Sequence, residues 1–473
     1  MLACTWKGAI GLALAYSLPV RTETLDSRIE GLTVRLGEIK GMTHRDKKAS
    51  QPKAGSSKGT KWHEHYPELG TGPLPVEPYY AESRFEEERE HLFRKVWLML
   101  GRVEQIPQPG DYFVHDIAIC KTSVIVVRGS DGVIRAFHNH CSHRGNKLAW
   151  DRGGSCQGFT CKLHAWSYGL DGALRFVPDE ESFFSLDKRK LGLTPIALEV
   201  WEGFIFVNFD PSPQETLQAY LGDLGESMRG YPFAELSATS ATWTTEVRAN
   251  WKLVKDGFQE VYHVPFLHRR SIPDSFTSRE NPFAHLLHME LRDRHARISL
   301  FGNAGLQPTP VQAAAFRHGS FAVRSNFSEA RLPAGVNPAR AEAWAFDLNI
   351  LFPCLILAVS ERSYFTHQFW PVAPDRTIWK STQYFPRAET AGQRFSQEYG
   401  HVIFRDVILE DGKILEQTQS MLESGAKQSF VLHDEEMLVR HSHHVIERLI
   451  AEGTARGKAA GSRRRVRKER HNV

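Results

Sequence analysis

Hydrophobic and polar positions change period along the chain, and each change predicts a different element. From Pro78 the apolar residues Phe85, Leu92, Phe93 and Val96 recur at helical intervals, and Ser83 and Glu86 have capping-box spacing, which predicts a helix over about residues 83–97. The period then falls to two. Residues 112–119, 123–128 and 133–138 alternate or run β-branched, and Ser130-Asp131-Gly132 supplies a hairpin turn between the last two. Short strands broken at Gly153-Gly154 and Asp171-Gly172 continue to an expected strand over 203–209, completing a small all-β module. Beyond Pro211 and Pro213 the pattern mixes helices with long apolar strands over 343–359 and 377–384. The expected class is α+β, a β domain followed by a larger mixed domain, with no internal repeat.

The 473 residues suffice for two or three domains with a sizeable core. Expected divisions are residues 1–77 as a poorly ordered extension, 78–210 as the lead-in helix with the β domain, 211–450 as the mixed domain and 451–473 as a basic disordered tail. The apolar stretch 8–18 behind Lys7 has the outline of a secretory signal, but its short apolar core and the polar run 46–61 favour an extension, with Met42 as an alternative start. The net charge of +4 resides in the tail: residues 463–470 hold six of the 59 Lys and Arg and one of the 55 Asp and Glu, leaving 53 basic against 54 acidic residues elsewhere. A nucleic-acid partner is therefore not expected. No uncharged apolar run reaches the roughly 20 residues a membrane helix needs, so neither is a membrane partner. Six cysteines are too sparse for a disulfide framework and point to a reducing compartment, hence a cytoplasmic location, with metal or redox duty for some of them.

Candidate chemistry falls in two places. Within the β module stand Cys141-Ser142-His143 and, after 17 intervening residues, Cys161-Lys162-Leu163-His164. Zinc accepts two thiolates and two imidazoles, but zinc fingers usually group cysteines with cysteines and histidines with histidines. Here each loop contributes one of each. That interleaving suits a Rieske [2Fe–2S] cluster, with Cys141 and Cys161 on one iron and His143 and His164 on the other, and the imidazoles raise its potential. Cys156 lies off the pattern and reads as a small packed or exposed residue.

The second place is the segment from Asn250 to His268, which reads as a helix halted near Pro265. Glu260 and His263 are three residues apart and share its face, and His268 follows the break. Two histidines are weak evidence alone. A carboxylate partner is needed, and Asp411 in Glu410-Asp411-Gly412 is the best candidate; two imidazoles and one carboxylate on one face of Fe(II) leave positions open for dioxygen and substrate. Asp256 and Phe258 are candidate pocket residues. For the apolar strand around 350–357, ordinary core packing is the expected role. His433, His441, His443 and His444 look like a metal tract, but neighbouring Glu435, Glu436 and Arg440 suggest a solvated amphipathic helix. No Gly-x-Gly-x-x-Gly follows a strand, so a dinucleotide is not expected on this chain.

Together these features resemble the large (α) subunit of Rieske non-haem iron aromatic ring-hydroxylating oxygenases, over about residues 78–450. The resemblance rests on Val96-Trp97, the Cys-x-His-Arg-Gly and Cys-x-x-His pair, Asn250-Trp251-Lys252, the Glu260/His263/His268 array and Glu410-Asp411 with Glu416 and Gln419. It implies a Rieske domain followed by a helix-grip (START-like) catalytic domain on a long antiparallel sheet. It implies His263, His268 and Asp411 as iron ligands, and Glu260 as a carboxylate linking an iron ligand to a Rieske histidine across a subunit boundary, in a homotrimer or α3β3 assembly. The implied activity is that of a terminal oxygenase using O2 and electrons from an NAD(P)H-dependent reductase, with or without a ferredoxin, to hydroxylate a small aromatic or related substrate. Ring cis-dihydroxylation is the main expectation; monooxygenation with O- or N-dealkylation is the alternative, and a Rieske electron carrier is a reading of another class. The chain departs from the family pattern at Leu163 and Ala165, read as small packing changes, and at Asp256 and Gly257, where relatives commonly have Asn and an aromatic.

Overall fold

The computed structural model describes residues 61–319 and 332–469, the side chains only as far as residue 456. The 8–18 stretch and Met42 lie outside the described residues. Residues 61–77 were expected to be unordered, but they pack. The Trp62 and His63 amides donate to Asp434 at 2.8 and 3.0 Å, Leu74–Pro75 pairs with Ser429–Phe430, and Val76 is fully buried.

The expected 83–97 helix is an α-helix over Glu82–Glu88 running into a π-helical turn over Arg89–Phe93. Its N-cap is Ala81 and no side chain caps it, so the Ser83/Glu86 spacing is not used as a capping box. Its inner face carries Glu88, fully buried, which receives the Trp251 indole N–H at 2.7 Å and the Lys252 ammonium at 2.5 Å. The lead-in helix is thereby anchored to the segment that leads to the candidate ligands His263 and His268.

The β domain is a seven-stranded antiparallel sheet in the spatial order Leu98–Arg102, Phe204–Asn208, Pro195–Trp201, Ile134–His138, Thr122–Arg128, Asp111–Ile117, Gly153–Ser155. A three-stranded sheet of Phe159–Thr160, Ser167–Tyr168 and Leu174–Phe176 closes over its own small core, which includes Phe137, Trp166, Tyr168 and Leu174.

The second sheet also has seven antiparallel strands, in the order Thr239–Val247, Arg376–Phe385, Tyr364–Ala373, Leu355–Val359, Trp344–Leu351, Ala296–Phe301, His288–Leu291. The single strand expected over 343–359 is a hairpin, because Phe352-Pro353 turns the chain between two strands that pair Leu351 with Leu355. Pro cannot donate to a ladder, which places it in the connection. Across this sheet lies a helix over Ala391–Leu422, started by a Thr390/Gln393 capping box. From Gly400 onward its buried positions, Gly400, Phe404, Ile408, Asp411, Leu415, Gln419 and Leu422, are spaced three or four apart and form one stripe facing the core. Asp411 occupies a place in that stripe where an apolar residue would pack.

The last helix spans Met437–Glu469, so it continues through residues expected to form an unstructured tail. His441 and His443 are buried, contrary to the expected solvated face. The helix turns them inward, where the His443 Nε2 bonds the hydroxyl of Tyr79 in the lead-in segment; His444 is exposed and His433 caps a short 3-10 turn. Among the described residues, no helix is long and apolar enough to cross a membrane.

Candidate metal centres

The two Cys–His loops have the same backbone construction. In the first, the Cys141 amide donates to the Asn146 carbonyl and the Gly145 amide to the Cys141 carbonyl, both at 2.8 Å. In the second, the Cys161 amide donates to the Trp166 carbonyl and the Ala165 amide to the Cys161 carbonyl, both at 2.9 Å. The residue four places after each cysteine has positive φ, Gly145 at 75° and Ala165 at 55°. Gly adopts this conformation freely, whereas Ala bears a Cβ clash, so Ala165 is a backbone matter as well as a packing change.

These turns bring the donors together. The His143 and His164 rings lie 4.7 Å apart, and His143 stacks on Trp166 at 4.9 Å. Both cysteines are buried, His143 is half-buried and His164 is exposed. The Ser142 amide donates to the Tyr168 hydroxyl oxygen at 3.0 Å, leaving that hydroxyl to donate to the Cys141 Sγ at 3.2 Å. Burial and the neighbouring Cys141 sulfur raise the Tyr168 phenol well above its usual value, which keeps it a donor. Burial raises the Cys161 thiol, but the Leu163 and His164 amides, with Cys141 and the Asn146 amide, outweigh it and bring the thiol below its ordinary value. Sulfurs surrounded by donors are suited to carry negative charge, and among the described residues the buried His143 Nδ1 has no hydrogen-bond partner. This donor set fits a [2Fe–2S] cluster.

The second centre is built from two segments. A short helix over Trp251–Asp256 is capped by Asn250, whose side chain accepts from the Lys252 amide. It ends at Gly257, and a separate helix begins at Val264–Leu267 with Pro265 in its first turn. The single helix expected to stop at Pro265 is therefore two; Pro starts the second because a first-turn residue needs no donated hydrogen bond. Glu260 and His263 face each other across the intervening turn, the Glu260 carboxylate accepting from the His263 amide at 3.1 Å and contacting its Nδ1. The long helix secures the lead-in, with Gln419 accepting from the Asn250 amide and Glu416 from the Arg248 amide, each at 3.0 Å.

The ligand atoms of His263, His268 and Asp411 lie within 4.8 Å of one another. The Asp411 Oδ1 is 3.1 Å from the His268 Nε2 and 3.8 Å from the His263 Nε2. Each Nδ1 is occupied by a different carboxylate: Glu260 for His263, and Glu410 for His268 at 2.8 Å. Glu410 is itself bonded by the Ser271 hydroxyl at 2.7 Å. Carboxylates on the far nitrogens fix both rings with Nε2 turned inward, the arrangement that orients imidazoles toward a metal. Among the described residues the buried Asp411 Oδ2 has no hydrogen-bond partner. A buried carboxylate oxygen with no donor, two oriented imidazoles and no thiolate fit a divalent iron.

The three side chains are among those lining a cavity of about 730 Å³, part of it open to solvent. Its remaining wall is apolar, with Phe258, Phe276, Phe346, Phe365 and Phe404 among the lining residues, and His367 beside them. Phe258 is thus in the wall. Asp256 is not. It is buried on the other side of its helix, accepting from the Tyr79 hydroxyl at 2.5 Å and the Gln259 amide at 2.7 Å. Burial raises its carboxyl to about 6 against the pull of Lys255, Tyr79 and Lys252. The positioning carboxylate Glu410 and the pocket residue His367 were not singled out from sequence. Glu410 was legible as the neighbour of Asp411, whereas His367 carries no local signal.

Residues 96–194 match the family model of the Rieske [2Fe-2S] domain, and residues 233–452 that of the ring hydroxylating alpha subunit (catalytic domain). The carnitine monooxygenase oxygenase subunit of Escherichia coli (strain K12) is 33% identical over 190 residues, 40% of this chain and 50% of that protein. The large oxygenase component of the naphthalene 1,2-dioxygenase system of Pseudomonas aeruginosa is 35% identical over 234 residues, 48% of this chain and 47% of that protein. The chain thus spans about half the length of the curated relatives it matches. In fold it is similar to the crystal structure of naphthalene 1,2-dioxygenase from Rhodococcus sp. bound to indole, with TM-score 0.66, 21% identity and coverage of 82% of this chain and 96% of that one. It is also similar to a quaternary ammonium Rieske monooxygenase in complex with L-carnitine, with TM-score 0.64, 22% identity and coverage of 81% and 97%. The chain belongs to the Rieske non-haem iron oxygenase α-subunit family, whose cofactors are a [2Fe–2S] cluster and a mononuclear iron.

Proposed function

We propose that this chain is the terminal oxygenase of a multicomponent system, taking electrons from an external NAD(P)H-dependent reductase, with or without a ferredoxin, and using O2 to hydroxylate a small aromatic substrate. Cys141, His143, Cys161 and His164 hold the cluster, and His263, His268 and Asp411 hold the iron. When bound, the two groups supply one-electron storage and dioxygen activation. The chain's own residues do the rest. Glu260 and Glu410 keep the histidines oriented, and the phenylalanine wall holds an apolar ring against the open side of the triad while excluding bulk water. Glu260, already on His263, is the residue placed to link that ligand to a Rieske histidine of a neighbouring subunit, which favours a homotrimer or α3β3 assembly in the cytoplasm.

The observation that carries this reading is an oriented two-histidine, one-carboxylate set in the lining of an apolar cavity. The relatives include a carnitine monooxygenase and a naphthalene dioxygenase, and the lining bears on which chemistry this chain follows. Among the described residues that line the cavity there is no Arg or Lys to receive a carboxylate. A desolvated carboxylate without a partner is costly, so a neutral ring is favoured over carnitine or betaine and ring cis-dihydroxylation over N-dealkylation. The phenylalanines favour a second reading, monooxygenation of a substrate bearing a quaternary ammonium and no carboxylate, since aromatic faces attract such cations.

Products of the reduced holoenzyme exposed to labelled O2 decide between them. Two labelled oxygens on one ring are expected. One labelled oxygen with loss of an alkyl group supports the second reading, and no substrate-dependent O2 use reduces the chain to an electron carrier.

A further inference from the structure

Of the polar side chains lining the cavity, Glu260, His263, His268 and Asp411 belong to the metal centre, which leaves His367. It lies on the Tyr364–Ala373 strand, paired across the sheet with Ser381, and is 1% exposed. Its ring is fixed by packing, stacked on Phe404 at 5.3 Å and tilted against Phe258 at 4.4 Å.

The tautomer follows from its neighbours. The Trp379 indole N–H donates to the His367 Nδ1 at 3.1 Å, and the Ser381 hydroxyl lies 2.6 Å from the same nitrogen. An indole N–H can only donate, so Nδ1 is an acceptor and the proton of the neutral ring resides on Nε2. Burial lowers the imidazole to about 3, consistent with a ring that stays neutral. Among the described residues Nε2 has no hydrogen-bond partner. A ligand entering the cavity displaces water from this N–H, and one with an acceptor oxygen offsets that loss whereas one without does not.

We infer that His367 is a specificity residue whose Nε2–H binds an uncharged acceptor oxygen, such as a carbonyl or ether, on the aromatic substrate. This rests on the reading of the cavity as the substrate site. A neutral donor and a wall without Arg or Lys match an uncharged acceptor better than a carboxylate. Trp379 and Ser381 act through His367 as positioning residues, holding its tautomer.

The test is equilibrium binding of two probes of nearly equal shape, 1-indanone and indane, to the anaerobic holoenzyme. The readout is the ratio of the indane Kd to the 1-indanone Kd. His367→Phe is expected to reduce this ratio about tenfold by removing the donor while keeping a ring in place. His367→Gln, which retains an N–H donor, is expected to restore part of it and guards against a packing defect of the first variant. A ratio unchanged in His367→Phe, equal weakening of both probes, or failure of the native enzyme to bind either overturns the inference. Oxygen uptake measured in parallel separates the two claims: a discriminating His367 without turnover sinks the oxygenase reading and leaves the donor assignment standing.

Discussion

The two metal centres are assembled on opposite plans. The candidate cluster donors come from 24 consecutive residues, Cys141 to His164, in two loops with the same backbone hydrogen bonds. The candidate iron donors come from a turn between two short helices and from a long helix, so that His268 and the carboxylate beside Asp411 are separated by 142 positions. In the first, local turns set the geometry and the sheets merely hold the loops together. In the second, geometry exists only once the long helix lies across the sheet. A centre of the first kind survives insults elsewhere, whereas one of the second kind registers any loosening of the domain.

The largest test of that contrast is Asp411→Ala. Product formation is expected to fall below detection while the visible absorbance and EPR signal of the reduced cluster remain, and persistent turnover would remove Asp411 from the ligand set. Glu410→Gln reaches the same centre through His268. It is expected to weaken iron binding about 10- to 100-fold, read by metal titration, with the cluster again unaffected. Equal loss of both metals would mean that Glu410 supports folding rather than the iron site.

Acidification separates the domains by a different route. Burial pushes His295 and His441 down to about 4 and His367, His443 and His115 to about 3. His295 shows why: its Nε2 donates to the Tyr220 carbonyl and its Nδ1 accepts from the Phe352 amide, so it fits only when neutral. Folded values below the unfolded 6.5 mean that this stabilisation is full above pH 6.5 and drains away as pH falls toward 4 and 3. Asp256 and Asp347, raised to about 6 chiefly by burial, act in the opposite sense, losing stabilisation as pH rises from about 4 to 6. Four of the five histidines are in the catalytic domain. Its melting temperature is therefore expected to drop below pH 6.5 before that of the cluster domain, and a flat profile between pH 7 and 4.5 would contradict the neutral assignments.

The smallest effect is at the loop pair. Ala165→Gly should relieve the positive φ and stabilise the second cluster loop by about 1 kcal/mol, read as cluster loss shifted to higher denaturant. No shift, or an earlier loss, would mean that the Ala165 methyl contributes more by contact than its backbone costs.

What could be read in advance follows from the same contrast. Cys141, His143, Cys161 and His164 are legible as spacing because their geometry is that of short turns. Glu260, His263 and His268 are legible as a cluster, but the helix break was misplaced, since Pro265 is equally at home at the start of a helix. Asp411 was reachable because a carboxylate is chemically required. Asp256 lies outside the cavity wall because side-chain direction in a short helix depends on what packs against it, here Tyr79 and Gln259. The charged neighbours of His441 and His443 suggest exposure, but both are buried, because helix burial is decided by the surface the helix meets.

Sequence by itself determined the kinds of chemistry available: an interleaved thiolate–imidazole set, a histidine pair with a nearby carboxylate, and the alternation that makes antiparallel sheets. The tertiary structure alone decided which nitrogen of His263 and His268 faces inward, which carboxylates hold them, and that the His367 Nδ1 accepts from the Trp379 indole. The reason is physical. Turn conformation and strand period are properties of neighbouring residues, whereas ring orientation and tautomer are set by partners such as Glu410 and Trp379, which only the folded sheet and its crossing helix bring within hydrogen-bond reach.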